Sequence, residues 1–352
     1  MCSSDLKNLG FDINVGGASI GQPGSYYGEK NFGAGSSEAK HAVPGLEKYH
    51  GEDIFLTEAL TREAQAHVGD SVREGKPFFL YFCHYAVHAP FQADKRFPFA
   101  TEEGKSKDAC AFASLVQGMD DSLGKMLDWF EELGIAENTL VIFLGDNGSD
   151  APLGKPHEVA SSAPLRGRKG SHYEGGMRVP CIVSWAKPAD NPIQRRLPIP
   201  GGAIRKEVGA IYDWFPTLLD LLELPVPQGH PVDGESLKDR IRGISTQAAG
   251  QQDREFLMHF PHSPHRSDYF TVYRRGDWKL IYHYFPFEAS GGSHVQLYDL
   301  GRDPYEQKDL AAVEGDRLRA LFAGMTERLM LEGALYPEDE SGNPVFPSLP
   351  QQ

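Results

Sequence analysis

Asp146 and Asn147 stand side by side where the apolar run Thr139-Leu-Val-Ile-Phe-Leu-Gly145 ends, and the basic stretch Arg166-Gly-Arg-Lys-Gly170 follows a little further on. A carboxylate beside a carboxamide offers two hard oxygen donors, the ligand type taken by Ca²⁺ or Mg²⁺. A histidine in the second place would favour zinc or manganese. Two donors fall short of the roughly six to eight oxygens calcium takes, so any such site is completed from elsewhere. Two further readings stay open. Asp-Asn-Gly is turn sequence that tolerates left-handed backbone, and Asn147-Gly148-Ser149 fits the glycosylation acceptor pattern. Metal ligation is adopted; the glycan is the weakest reading because a buried strand leads straight into the motif, and one amide cannot carry a glycan and a metal together.

Arg166, Arg168 and Lys169 make the neighbourhood locally positive. Lys169 is either a solvated loop lysine or a clamp on an anion. His88, in His84-Tyr-Ala-Val-His-Ala-Pro90, is either a packed structural residue or a proton carrier near neutral pH. Taken with Asp146 they compose a cation, a positive clamp and a proton donor, a set that fits hydrolysis of an anionic ester. In Tyr173-Glu-Gly-Gly-Met-Arg-Val-Pro180 the glycines permit close backbone approach, and Arg178 pairs with Glu174 or a neighbouring carboxylate. The run His259-Phe-Pro-His262-Ser-Pro-His265 imitates a metal site, but its prolines and loose spacing favour a loop edging a cleft. Arg168 and His262 are the candidate substrate-binding residues.

These residues need elements to position them. Short unbroken apolar runs read as strands buried on both faces, the habit of parallel sheets, whose ligands bind outside the carboxyl ends of strands. Pro77–Cys83, Thr139–Gly145 and Val179–Trp185 are such runs. A helix is expected over 53–72, with Ile54, Leu60, Ala64 and Val68 at helical spacing. The clearest helix covers 108–133: Phe112, Leu115, Val116, Met119, Leu123, Met126, Leu127 and Phe130 form one stripe, with Asp108 as N-cap and Gly134 as stop. Strand, helix, strand makes a βαβ arrangement. A helix from Tyr212 to Leu224 turns Leu218, Leu219 and Leu222 inward. Beyond it come a hairpin of 269–273 and 278–282, a strand at 296–300 and an amphipathic helix over 313–332. The fold class is α/β, a central mostly parallel sheet flanked by helices plus a small C-terminal antiparallel sheet with a helix. The domains are 1–225, catalytic, and 226–352.

The chain has 352 residues, 35 Lys and Arg against 49 Asp and Glu, and a formal charge of −14. That balance argues against nucleic acid, because no cationic excess exists to neutralise phosphates. No segment nears the roughly 18 uninterrupted apolar residues a membrane helix needs, so no membrane partner is expected. The four cysteines show no CxxC or metal spacing; Cys83 and Cys181 read as small buried hydrophobes.

Lys76-Pro-Phe-Phe-Leu-Tyr-Phe82, His88-Ala-Pro90, Met119-Asp-Asp121, Asn138-Thr-Leu-Val-Ile-Phe143 with Asp146-Asn-Gly148, and Arg168-Lys-Gly-Ser-His-Tyr-Glu-Gly-Gly-Met-Arg-Val-Pro180 occur in order. Asp213-Trp-Phe-Pro-Thr-Leu-Leu219, Asp233-Gly-Glu-Ser-Leu237, Asp277-Trp-Lys-Leu280 and Leu297-Tyr-Asp-Leu-Gly-Arg-Asp-Pro304 continue the series. Together they resemble the type I, formylglycine-dependent sulfatases of the alkaline phosphatase superfamily. The resemblance implies an alkaline-phosphatase-like fold, Asp146 and Asn147 as Ca²⁺ ligands, and His88 and Lys169 as catalytic residues that bind the sulfate and assist the leaving oxygen. It implies a sulfated small molecule or glycan as partner, with carbohydrate sulfates favoured. The family's nucleophile, a formylglycine made in Cys-x-Pro-Ser-Arg or Cys-x-Ala-Ser-Arg, has no counterpart at Cys2, Cys83, Cys110 or Cys181. Asn8-Leu-Gly-Phe-Asp12 looks like the stretch just after a missing segment, and Met1–Leu6 does not read as a signal peptide. The expectation is an N-terminally truncated copy that folds poorly and lacks turnover, from a full-length protein that is periplasmic or secreted. A phosphodiesterase or phosphonate hydrolase of the same superfamily is the competing enzyme reading, and a sulfated-glycan binder without turnover the non-enzymatic one.

Overall fold

The computed structural model describes residues 7, 10–101, 103–150, 162–244, 254–262, 268–286 and 292–349. The expectations set on Met1–Leu6, on Asn8 and on His265 lie outside the described residues. The helices and strands are α1 (Leu56–Arg73), α2 (Lys107–Glu132), β1 (Leu140–Leu144), α3 (Glu174–Met177), β2 (Cys181–Trp185), α4 (Pro192–Arg196), α5 (Trp214–Leu221), α6 (Lys238–Arg242), β3 (Glu255–Phe260), β4 (Phe270–Arg275), β5 (Trp278–His283), β6 (Val295–Asp299) and α7 (Gly315–Leu331). Two compact units result, one holding Met1–Ile142 and Val183–Arg196, the other Phe143–Asp150, Ser161–Ile182 and Leu197–Gln352.

In the first unit the two long helices arise from the periodicity noted above. Leu60, Ala64 and Val68 of α1 are buried, as are Phe112, Leu115, Met126 and Phe130 of α2. Thr61 and Ser122 hydroxyls meet at 2.6 Å, and the Trp129 indole donates to Gln65 O at 2.9 Å. The α2 N-cap is Ser106, whose hydroxyl accepts from Ala109 N at 3.1 Å, and not Asp108. A hydroxyl one residue before the first turn reaches its orphan N–H, whereas Asp108 already lies inside the helix. Gly134, at φ 69°, supplies the left-handed stop. Val116 falls off the buried stripe, 41% exposed.

The run 77–83 is extended but carries no strand ladder. Its alternation is that of a strand all the same. Phe78, Leu80 and Phe82 pack onto the core around Met126 and Phe130, while Phe79 and Tyr81 are 63% and 43% exposed. The parallel pairing expected between this run and β1 is therefore not formed among the described residues. β1 pairs instead with β2, and the bonds Gly145 N to Pro180 O (3.0 Å) and Ala186 N to Thr139 O (2.9 Å) at opposite ends make the pair antiparallel. Cys83 and Cys181 are exposed rather than buried, since each lies on the uncovered face of its extended run; among the described residues the buried cysteine is Cys110.

The second unit is organised by the antiparallel sheet β3-β4-β5-β6. Arg275 opposite Trp278 leaves Gly276-Asp277 as a two-residue hairpin turn, and Gly276 has φ 58°. Alternate residues serve two cores. Tyr273, Leu280, Tyr282 and Leu297 pack with Leu318, Leu321, Met325 and Leu329 of α7. Phe270, Val272, Ile281 and Tyr298 pack with Tyr173 and Met177. The expected hairpin, the strand near 296–300 and the terminal helix are all formed. β3 replaces part of the expected His259 loop: His259 pairs with Thr271 in the ladder, and its ring contacts Thr271 Oγ1 at 2.8 Å and Leu335 O at 2.5 Å. In α5 the buried residues are Trp214, Pro216 and Thr217, and Leu222 is 66% exposed. The helix docks through its first turn, where Asp213 accepts from Ala210 N at 2.6 Å and Glu235 N at 3.0 Å.

Candidate functional site

Asp146 and Asn147 leave the end of β1 in a bend, the carboxylate exposed and the amide half-buried. The Asn147 amide donates to Asp146 Oδ1, so the two side chains face one another. The next residue is buried glycine for a steric reason. A Cβ at Gly148 would lie 2.0 Å from Gly175 O, and Gly148 N donates to Gly176 O at 2.9 Å. Gly175 and Gly176 are hemmed in equally: a Cβ would meet Gly167 O at 2.5 Å in the first and Ser171 O at 2.3 Å in the second. The loop after β1 and the loop bearing Arg168 and Lys169 are thus fastened to α3 by main-chain atoms.

Lys169 N donates to Ser149 O at 3.0 Å, which brings the basic loop alongside the Asp146-Asn147 bend. Lys169 is half-buried and Arg168 exposed. A cleft of about 350 Å³ opens here, lined by Asn147, Ser149, Ser162, Leu165, Arg178 and Pro180 among others. Ser149 N donates to Ser162 Oγ at 3.1 Å across its wall.

Beneath α3 lies a buried ion cluster. Lys279 of β5, 0% exposed, places its ammonium 3.0 Å from Glu174 Oε1 and 2.7 Å from Glu306 Oε1. Arg178 donates to Glu174 Oε2 at 2.9 Å, the pairing expected from sequence, and Glu174 N donates to Glu306 Oε2 at 2.7 Å. Arg166 donates to Glu306 O at 3.0 Å and stacks its guanidinium 3.9 Å from the Tyr173 ring centre. Burial raises the Glu174 carboxyl, but Lys279, Arg274 and Arg178 outweigh it and hold the group below its ordinary value. For Glu306 burial prevails over Lys279, and the carboxyl is raised. The cluster joins α3 to β5 and to the segment bearing Glu306.

Of the candidate residues, Asp146, Asn147, Arg168 and Lys169 fall together in one unit on hydrogen-bonded loops. His262 belongs to the same unit, exposed just beyond β3, with its ring 4.2 Å from Phe260. His88 belongs to the other unit. There the Tyr26 hydroxyl donates to Tyr85 O (2.7 Å) and His88 O (2.9 Å), and the His88 Nδ1 lies 3.1 Å from Ala89 O. Two hard oxygens at the β1 end fit calcium in kind, and supply two of its roughly six to eight ligands. Sequence reading missed a third group in the second unit, His172, Asp268 and His283, because its members are far apart in the chain and no spacing announces them.

A family model described as Sulfatase matches residues 5–224. N-acetylgalactosamine-6-sulfatase of Mus musculus is 36% identical over 182 residues, 52% of this chain and 32% of the relative. Steryl-sulfatase of Mus musculus is 29% identical over 292 residues, 76% of this chain and 43% of the relative. The chain therefore spans about a third to under half of the length of these relatives. Among solved structures, the crystal structure of Ps i-CgsB superposes with a TM-score of 0.65 at 24% identity, covering 86% of this chain and 63% of that one. That likeness shows the fold, an alkaline-phosphatase-like α/β architecture.

Proposed function

The chain belongs to the sulfatase family, and on that premise we propose that it forms the calcium-holding and sulfate-binding part of a sulfuric ester hydrolase directed at carbohydrate sulfates. The observation that carries the proposal is the backbone bond from Lys169 to Ser149, which sets a cationic loop beside two adjacent oxygen ligands. Asp146 and Asn147 would hold the ion, and a bound Ca²⁺ supplies positive charge against the sulfate oxygens. Lys169 and Arg168 add fixed charge on the same anion. His88 as acid toward the leaving oxygen rests on the sequence resemblance alone, as does His262 at the sugar. A carbohydrate substrate is supported by the N-acetylgalactosamine-6-sulfatase relatives and by the complex of Ps i-CgsB with k-i-k-neocarrahexaose.

The sequence contains no Cys-x-Pro-Ser-Arg or Cys-x-Ala-Ser-Arg. The chain as it stands therefore binds sulfate esters without turning them over. In calcium titration calorimetry it takes up one ion, weakly, with a Kd on the order of 10⁻³ M. Asp146→Ala weakens that affinity at least about 10-fold, while Lys169→Ala leaves it unchanged and abolishes retention of a sulfated sugar. Equal calcium affinity in Asp146→Ala, or release of phenol from an aryl sulfate by the unmodified chain, would refute the reading.

A further inference from the structure

We infer that His172, Asp268 and His283 form a binding site for a divalent transition-metal ion of the zinc class. Each offers one ligand atom, and the three lie within 4.8 Å of one another. The site is buried: side-chain exposures are 4% for His172, 8% for Asp268 and 0% for His283. Among the described residues neither ring nitrogen of His172 has a hydrogen-bond partner, and neither has Asp268 Oδ1, which lies 3.9 Å from His172 Nδ1. Buried polar atoms are rarely left orphaned without a reason, and an ion between them would satisfy both.

The fourth partner fixes the chemistry further. Gln296 Oε1 accepts from the Tyr173 hydroxyl at 3.0 Å and stands 3.1 Å from His283 Nε2. His283 Nδ1 stands 2.7 Å from Asp268 Oδ2. A second nitrogen donating to an amide oxygen is also the outer-sphere arrangement that orients metal-bound histidines. Lys279 does not oppose the cation, because Glu174 and Glu306 balance it at 3.0 and 2.7 Å.

Two imidazoles and one carboxylate suit zinc rather than calcium, which wants oxygen alone. Ligand bonds of about 2.0–2.1 Å in a tetrahedron set neighbouring donors roughly 3.3 Å apart, between the 2.7 and 3.9 Å found here. The ligands come from the loop after Lys169, the approach to β4 and the end of β5. The ion would clamp the basic loop to the sheet.

The test is zinc content of the full chain by mass spectrometry after chelation, zinc addition and gel filtration. One zinc per chain is expected, with the melting temperature raised by about 3–4 °C at a hundredfold excess over the zinc Kd, and no rise with calcium at that same concentration, far below the millimolar range in which it binds at Asp146. His172→Phe, which keeps a ring between Tyr173 and Phe270, and Asp268→Asn should each weaken zinc binding more than about 100-fold. X-ray absorption at the zinc edge of the unmodified chain should show two imidazoles, a readout independent of whether either variant folds. No zinc retained by the unmodified chain, one zinc kept by both folded variants, or a first shell without imidazole would each overturn the proposal. The outcome is independent of the calcium titration at Asp146.

Discussion

Replacing Lys279 by methionine tests whether the buried ion cluster positions the basic loop. Methionine keeps the unbranched stem and removes only the charge. The side chain is 1% exposed, so nothing solvates the carboxylates it leaves behind. Glu174 retains Arg178 at 2.9 Å and Arg274 at 3.8 Å. Glu306 is 0% exposed, and among the described residues Lys279 is the cation paired with it. Breaking such a pair costs about 3–5 kcal/mol at pH 7. The sign with pH follows from the shifts. Glu306 is already raised, so its contribution is complete below the ordinary carboxylate range and lost as pH rises through its folded pKa. Glu174 is lowered, and its contribution is lost only as pH falls through its folded pKa. Without the ammonium both carboxyls move up, so the variant suffers more at pH 8 than at pH 5, where Glu306 binds a proton instead. Urea unfolding at both pH values, in a cycle with Glu306→Gln, measures the effect. A loss below about 1 kcal/mol, or the same loss at pH 5 and pH 8, would show that the pair does not hold the loop.

Gly148→Ala should cost about 1–3 kcal/mol, because its Cβ would meet Gly175 O at 2.0 Å; an unchanged urea midpoint would contradict the packing. Ser106→Ala should destabilise by about 0.5–2 kcal/mol and Asp108→Ala by under about 0.5 kcal/mol, a contrast read in the same titration and reversed if Asp108 were the cap. His84 is pushed down to about 4 by burial. Its contribution is present above the ordinary histidine value and lost as pH falls from about 6.5 toward 4. Wild-type stability should decline over that window and His84→Phe should decline less; parallel curves would rule out the histidine as the source.

Elements with a long period were readable from the chain alone. Leu60, Ala64 and Val68 announced α1, and Phe112 through Phe130 announced α2, since a helix repeats its contact every three or four residues. The Arg275-Gly-Asp277 turn announced the hairpin for a similarly local reason. Pairing partners were less legible. The run 77–83 has strand composition and strand alternation, but a ladder depends on a neighbour that composition does not name. Cys83 and Cys181 were misjudged by the same route, because apolar surroundings in sequence do not say which face is covered. His259 was misplaced because the prolines after it concealed a strand before them. At the site, adjacency made Asp146 and Asn147 visible, and Glu174 with Arg178 lay one helical turn apart. Lys279 and Glu306 reach Glu174 from distant elements, so no local pattern pointed to them.

Main-chain atoms meet between the bend after β1 and the basic loop, since Gly148, Gly175 and Gly176 touch without side chains. That seam is blind to whatever lines the cleft beside it. Exchanges at Leu165 or Val179 can reshape what the cleft admits while Asp146 and Asn147 keep their places. A change at any of the three glycines would displace every part together. Anchoring and selectivity are thereby free to drift on separate axes during divergence.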